Sequence, residues 1–305
     1  MRYLVTGAAG FIGSHLLERL RERGHEAVGW DAFTDYYDPA FKEENARGLP
    51  VSRVDLVEDG IELEGLDGVF HLAGQPGVSS FGDVFPVYVR QNVLATQRMF
   101  EAAVAAGVRT VFASSSSVYG DAETYPTSED TVPRPLSPYG ITKLACEQLA
   151  DAYRREFGLD AVVLRYFTIY GPRQRPDMAL ARMIACMAEG RPFELYGDGS
   201  QSRSFTYVDD AVEATILAME RGRSGSTHNV GGGAEVTVLE AVEALAGIAG
   251  RRLELVRSAR REGDARRTAA DTARIREEVG WEPSTAFEEG LAAQWRWAAD
   301  RVAAA

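Results

Sequence analysis

The feature that most constrains this chain lies at its very start. An apolar run at residues 3–6 leads into Gly7-Ala8-Ala9-Gly10-Phe11-Ile12-Gly13, and an amphipathic helical pattern follows at 14–23. The glycines have separate tasks. Gly7 permits a tight turn, Gly10 lets backbone approach a pyrophosphate, and Gly13 lets helix and strand pack closely. The helix amino terminus then offers unpaired N–H groups and a positive dipole end to phosphate. With Phe11 and Ile12 between the glycines, this turn reads as the cradle of a dinucleotide.

The rest of the chain extends that opening. Further apolar runs at 26–30, 51–54, 69–72, 110–113 and 161–164 alternate with helical patterns, notably at 87–106 and 139–157. Strands that read as continuous hydrophobic runs between helices imply a parallel sheet buried on both faces. Such a sheet takes its ligand at the carboxyl ends of its strands. After Gly171 the elements shorten, with loops at 196–200, 221–226 and 231–233 and helices expected at 208–220, 238–249 and 287–299. The expectation is an α/β protein. A Rossmann-type doubly wound domain spans 1–170, and a smaller α/β substrate lobe spans 171–305, with some segments returning to the first sheet. Residues 231–233 read as a tight turn, because no helix-opening GK[ST] follows them.

Asp31 closes the second expected strand. A carboxylate there accepts hydrogen bonds from the adenosine ribose hydroxyls and repels a 2′-phosphate, which favours NAD over NADP. Asp55, with Leu56 after it, is a weaker candidate for the adenine amino group. The net charge of −12 sets the chain against nucleic acid and anionic membranes. An anionic substrate would need a local arginine cluster. The two cysteines, Cys146 and Cys186, lack metal-site spacing and read as buried, reduced thiols, so no metal is expected. No apolar run approaches the roughly 20 residues of a membrane span, and the first strand begins next to Met1, leaving no room for a targeting peptide. A cytoplasmic protein is expected.

Tyr139 and Lys143 form a YxxxK pair, one helical turn apart on one face, with Pro138 suited to the first turn. An ammonium so placed favours the phenolate form of the tyrosine, as does the positive nicotinamide ring of NAD⁺. From here the chain resembles the extended short-chain dehydrogenase/reductases, whose motifs it follows almost to its end at Val279-Gly280-Trp281-Glu282-Pro283. The resemblance places His71-Leu72-Ala73-Gly74 along the cofactor, has Asn92 steady the active site, and puts Tyr166 on the cofactor side. In Ala113-Ser114-Ser115-Ser116-Ser117-Val118-Tyr119-Gly120 it makes Ser115 the catalytic hydroxyl that shares the substrate 4-OH proton with Tyr139.

Two positions after Ser115 discriminate among activities of the family. Its 4,6-dehydratases carry Asp-Glu there and its UDP-glucuronate decarboxylases a Glu at the second. Here both are serine, Ser116 and Ser117, and a hydroxyl cannot do carboxylate chemistry. Epimerisation remains. The segment Arg165-Tyr166-Phe167-Thr168-Ile169-Tyr170-Gly171-Pro172-Arg173-Gln174-Arg175-Pro176-Asp177-Met178-Ala179 resembles UDP-glucuronate 4-epimerases, where UDP-galactose 4-epimerases have Asn at the position of Thr168. The resemblance implies that Thr168, Ser116 and Ser117 offer hydroxyl donors to a C6 carboxylate, and that Arg175 lies near the pyrophosphate or uracil. It further implies that Arg203 and Arg261 bind the diphosphate and Asp264 the ribose, and that Thr268, beside Arg267, leaves room at the sugar. A homodimer acting on a UDP-sugar is expected. The rivals are a 4-epimerase of UDP-glucose or UDP-N-acetylglucosamine and, more remotely, a non-catalytic NAD sensor.

Overall fold

The computed structural model describes residues 1–77, 82–259 and 266–304. Its first six strands are β1 (Arg2–Thr6), β2 (Glu26–Asp31), β3 (Val51–Arg53), β4 (Gly68–His71), β5 (Arg109–Ser115) and β6 (Ala161–Tyr166). Next come β7 (Thr168–Tyr170), β8 (Phe193–Tyr196), β9 (Ser202–Tyr207), β10 (Thr227–Val230), β11 (Glu235–Thr237), β12 (Leu255–Ser258) and β13 (Arg267–Thr268). The helices are α1 (Phe11–Glu22), α2 (Pro39–Asn45), α3 (Phe85–Tyr88), α4 (Ala95–Ala106) and α5 (Pro138–Phe157), followed by α6 (Ala179–Glu189), α7 (Val208–Arg221), α8 (Val238–Ala249), α9 (Ala273–Val279) and α10 (Phe287–Ala304).

The large sheet runs β10-β6-β5-β4-β1-β2-β3, every neighbouring pair parallel. All residues of β4 and β6 are buried, as a sheet covered by helices on both faces requires. On one face Leu16, Leu17 and Leu20 of α1 and Ile216 and Leu217 of α7 pack together. On the other, Met99 and Phe100 of α4 meet Phe112 of β5 and Cys146 of α5. Full burial of one such aliphatic or aromatic side chain contributes about 1.5–3 kcal/mol. Chain order reverses between β1 and β4, and in open α/β sheets the crevice forms at that point.

The smaller lobe centres on β9, flanked by β7, β11 and β13, while β8 and β12 pair separately. Helices α6, α8 and α10 cover it through Met183, Leu245 and Leu291. The lobe begins at Thr168, yet α7 and β10 lie with the large sheet.

One helix departs from its expected form. The pattern at 87–106 is not one α-helix, because a π-helical turn, Val89–Leu94, separates α3 from α4. Apolar periodicity over a long window does not register the one extra residue that a π turn inserts. Asn92 sits inside it. Residues 231–233 lie between β10 and β11, with Gly232 and Gly233 at positive φ. Both cysteines are free and buried, and no helix among the described residues is long and apolar enough to cross a membrane.

Candidate active site

A cavity of about 890 Å³ opens at the carboxyl ends of the sheet, between the large sheet and the small lobe. At one end lies the glycine turn. Gly7 has φ +69°, and a β-carbon there would come within 2.9 Å of Ala73 N. A β-carbon on Gly13 would lie 2.2 Å from Gly7 O, so α1 approaches the turn as closely as backbone allows. Gly10 caps α1 with no side chain bonded to its first N–H groups and no acid in its first turn. Those donors and the dipole are thus available to an outside anion. Phe11, Ile12, Leu56, Leu72, Ala73 and Gly74 also line this cavity. The cradle fits a dinucleotide.

Asp31 lines the same end, buried, with Oδ2 accepting from Ala9 N at 3.0 Å and Oδ1 from Phe33 N at 2.7 Å. Each oxygen keeps a lone pair for a ribose hydroxyl. Asp55 is placed differently from the expectation. It does not line the cavity. Its carboxylate pairs with Arg90 at 3.0 Å and accepts from Val57 N at 2.9 Å.

Ser115, Tyr139 and Lys143 come together where β5 ends and α5 begins. Ser115 caps a 3-10 turn, Ser116–Tyr119, its Oγ accepting from Ser117 N at 3.2 Å and donating to Ser117 Oγ at 3.1 Å. Ser137 caps α5 by accepting from Gly140 N at 3.1 Å, with Pro138 in the first turn. That cap fixes where Tyr139 and Lys143 point. Lys143 is buried, donates from Nζ to Ala113 O at 2.8 Å, and lies 5.8 Å from the Tyr139 ring centroid. Ser115, Tyr139 and Lys143 all line the cavity.

Asn92 does not line it. Its Nδ2 donates to Thr142 Oγ1 at 2.9 Å and its Oδ1 accepts from Gln75 N at 2.6 Å, while Thr142 Oγ1 donates to Tyr139 O at 2.9 Å. A β-carbon on Gly74 would meet Asn92 Oδ1 at 2.9 Å and Lys143 Nζ at 3.3 Å. The π turn therefore swings Asn92 into the seam between α5 and the loop after β4. Tyr166 borders the cavity, but its side chain packs into the core beside α1 and α7, its hydroxyl bonded to Thr215 Oγ1 at 2.6 Å. Behind the site His71 bridges Thr6 at 2.8 Å and Thr96 at 3.0 Å, and burial, with the charge of Lys143, lowers its pKa from 6.5 to about 3.

On the sugar side Ser116, Ser117, Thr168, Arg175, Arg203 and Thr268 line the cavity. Arg175 holds Asp177 through Nε and Nη2 at 3.0 and 3.1 Å. Burial would raise the Asp177 pKa, but Arg175 outweighs it and the net shift is downward. Thr268 Oγ1 is buried with no hydrogen-bond partner among the described residues. Arg267 turns outward to a bidentate pair with Glu235. Arg261 and Asp264 lie outside the described residues.

Several cavity residues escaped the sequence reading. Lys42 lines the ribose end, its Nζ bonded to Thr34 O at 2.8 Å and Oγ1 at 2.9 Å. The Asp38-Pro39 start of α2, a capping acid followed by proline, was the signal that could have exposed it. Arg182 lies 5.5 and 5.8 Å from the Phe193 and Tyr196 ring centroids and joins Arg175 and Arg203 as a cationic cluster along the cavity. Tyr36 and Asp177 also belong to the wall.

A phenol, an ammonium and a short hydroxyl, set beside a dinucleotide cradle, make a site for oxidising and reducing a carbinol. A model of the NAD dependent epimerase/dehydratase family matches residues 3–231, and the chain belongs to that family. Among solved structures it is similar to a UDP-glucuronic acid 4-epimerase from Bacillus cereus in complex with UDP-glucuronic acid and NAD. That similarity has a TM-score of 0.95 and 37% identity, covering 99% of this chain and 100% of that one. MoeE5, in complex with UDP-glucuronic acid and NAD, is 44% identical with a TM-score of 0.89, covering 99% of this chain and 100% of its own. The UDP-glucose 4-epimerase of Mycolicibacterium smegmatis is 40% identical over 305 residues, covering 96% of each chain.

Proposed function

We propose that this protein inverts C4 of UDP-glucuronate, giving UDP-galacturonate, and that it works reversibly with tightly held NAD. The observation that carries the reading is the position of three neutral hydroxyls, Ser116, Ser117 and Thr168, in the same cavity as Ser115 and Tyr139. They suit a C6 carboxylate and leave the two positions after Ser115 without an acid for elimination or decarboxylation.

Gly7, Gly10, Gly13 and Asp31 would hold the dinucleotide, with Lys143 at its nicotinamide ribose. Bound NAD supplies a two-electron oxidation at C4 and the matching reduction. Tyr139 takes the 4-OH proton and later returns it, while Ser115 shares that proton across a second hydrogen bond. Lys143 stabilises negative charge on the phenol oxygen. The ketosugar turns over within the cavity, and the cationic side chains of Arg175, Arg182 and Arg203 hold the diphosphate as the pivot. That cluster offsets the repulsion an anionic substrate meets from a chain of net charge −12.

The test is incubation with UDP-glucuronate, UDP-glucose and UDP-N-acetylglucosamine, with chromatographic separation of the products. UDP-galacturonate should dominate. Turnover of UDP-glucose alone would install the rival reading, which the M. smegmatis relative supports. We further infer a homodimer, supported by the exposed apolar side chains Phe85, Val89 and Leu94 along the α3–α4 segment and Ile141 on the adjacent α5. A cytoplasmic location accords with two buried free thiols.

A further inference from the structure

The loop from β7 to α6 is tied at both ends to the dinucleotide-binding half. At one end His15, on α1, meets the Pro172 carbonyl at 2.9 Å through Nε2. A carbonyl only accepts, so this ring nitrogen carries the hydrogen. One turn along α1, Glu18 pairs with Arg173 at 3.0 Å. Arg173 has φ +63°, a region costly for a residue with a β-carbon, so these two contacts hold a conformation the chain would otherwise leave. Gln174 is secured from behind by Gln294 at 2.8 Å and by its own bond to Ile169 O at 3.0 Å. At the other end Asp177, paired with Arg175, accepts from Tyr36 OH at 3.2 Å, and Tyr36 stands on the loop that follows β2.

Residues 172–177 thus run from α1 to the β2 loop, across the crevice at the switch point. Gly10 and Gly13, Tyr36, and Arg175 with Asp177 all border the one cavity. The two anchorages differ in kind. The α1 end has an ion pair, a part-buried hydrogen bond and the buried Gln174–Gln294 contact. Among the described residues the β2 end has a single phenol–carboxylate bond, and the Asp177 side chain is 36% exposed. The second must yield first.

We propose that residues 172–177 form a strap that retains the dinucleotide, hinged on α1 and latched by the Tyr36–Asp177 hydrogen bond. The inference rests on NAD occupying the glycine cradle. An enzyme that oxidises and re-reduces the same sugar within one turnover gains nothing from releasing its cofactor, and release midway would strand the ketone. Tyr36 and Asp177 act here as positioning residues, away from the reacting atoms.

The test uses the protein as purified, mixed with excess deuterium-labelled NAD, with exchange followed by mass spectrometry after denaturation. Tyr36→Phe should speed exchange about tenfold, the scale of one hydrogen bond to a charged group, and Asp177→Ala at least as much, since it also releases Arg175. The double variant should be no faster than Asp177→Ala alone, since that change already cuts the bond lost in Tyr36→Phe. Exchange at the wild-type rate in both single variants, or additive effects in the double, overturns the latch. Wild-type protein that releases no NAD on denaturation overturns the cofactor reading and the strap with it. Bound NAD with unaltered exchange removes the strap alone.

Discussion

At the scale of single residues, the proposed reaction asks most of Tyr139. Replacing it with Phe removes one oxygen and leaves the ring, so nucleotide binding should persist. Turnover should fall by about 10² or more, the usual share of general acid–base work. Steady-state rates beside binding measured by calorimetry separate the two effects, and near wild-type turnover would remove Tyr139 from the chemistry. The hydroxyls opposite it do quieter work. A ketone at C4 lies beta to the C6 carboxylate, and CO₂ leaves when the C5–carboxylate bond stands roughly perpendicular to the carbonyl plane. Ser117 and Thr168 can hold that bond near the ring plane, and neither is a ready acid for the enolate. Thr168→Ala or Ser117→Ala should therefore raise the share of UDP-4-keto-pentose among the products. Product analysis reads this directly, and unchanged partitioning with unchanged affinity in both variants would take them out of the carboxylate site.

At the scale of elements, the site depends on how α5 begins. Ser137→Ala removes the bond to Gly140 N and should cost about 1 kcal/mol of stability. Tyr139 is the second residue of this helix, so kcat should drop further than the melting temperature alone implies. Equal activity at a temperature well below the melt would show that the cap does not aim the phenol. This scale also shows what sequence could and could not reveal. Strands β4 and β6 were legible because burial on both faces leaves continuous apolar runs, and Gly7, Tyr139 and Lys143, which border one cavity, stood out in the sequence by their spacing. The π turn was invisible, since Asn92 needs it for reasons of three-dimensional aim that no periodicity records. Asp55 stands after β3, where an adenine contact is expected, but it does not border the cavity and its partner Arg90 comes from a distant stretch of sequence, which no local pattern records. Lys42 and Arg182 were missed for the same reason: the cavity gathers them from separate elements.

For the molecule as a whole, the histidines set the response to acid. The pKa of His71 falls from 6.5 to about 3, and burial lowers those of His15 and His228 too. The unfolded chain takes up these protons near pH 6.5, while the folded His71 waits until about pH 3. Between those values the unfolded state binds more protons, so stability falls as pH falls and is complete only above the upper value. Thermal melts in buffers spanning that window should show a steady decline toward acid, and a flat profile would contradict the burial of these rings as neutral bases.

The return of β10 to the large sheet has one more consequence. It binds the edge of β6 only after the chain has travelled through β7, β8 and β9. A fragment ending at residue 170 would keep every strand from β1 to β6 but leave β6 as a bare edge. It would also lack α7, whose Ile216 and Leu217 fill the core on that side. Expressed alone, such a fragment should aggregate or remain only partly folded, and a soluble, cooperatively melting product would show otherwise. The two lobes are thus not modules that can be exchanged between proteins. The chain is sewn rather than strung: the strand that finishes the large sheet arrives only after the small lobe has begun.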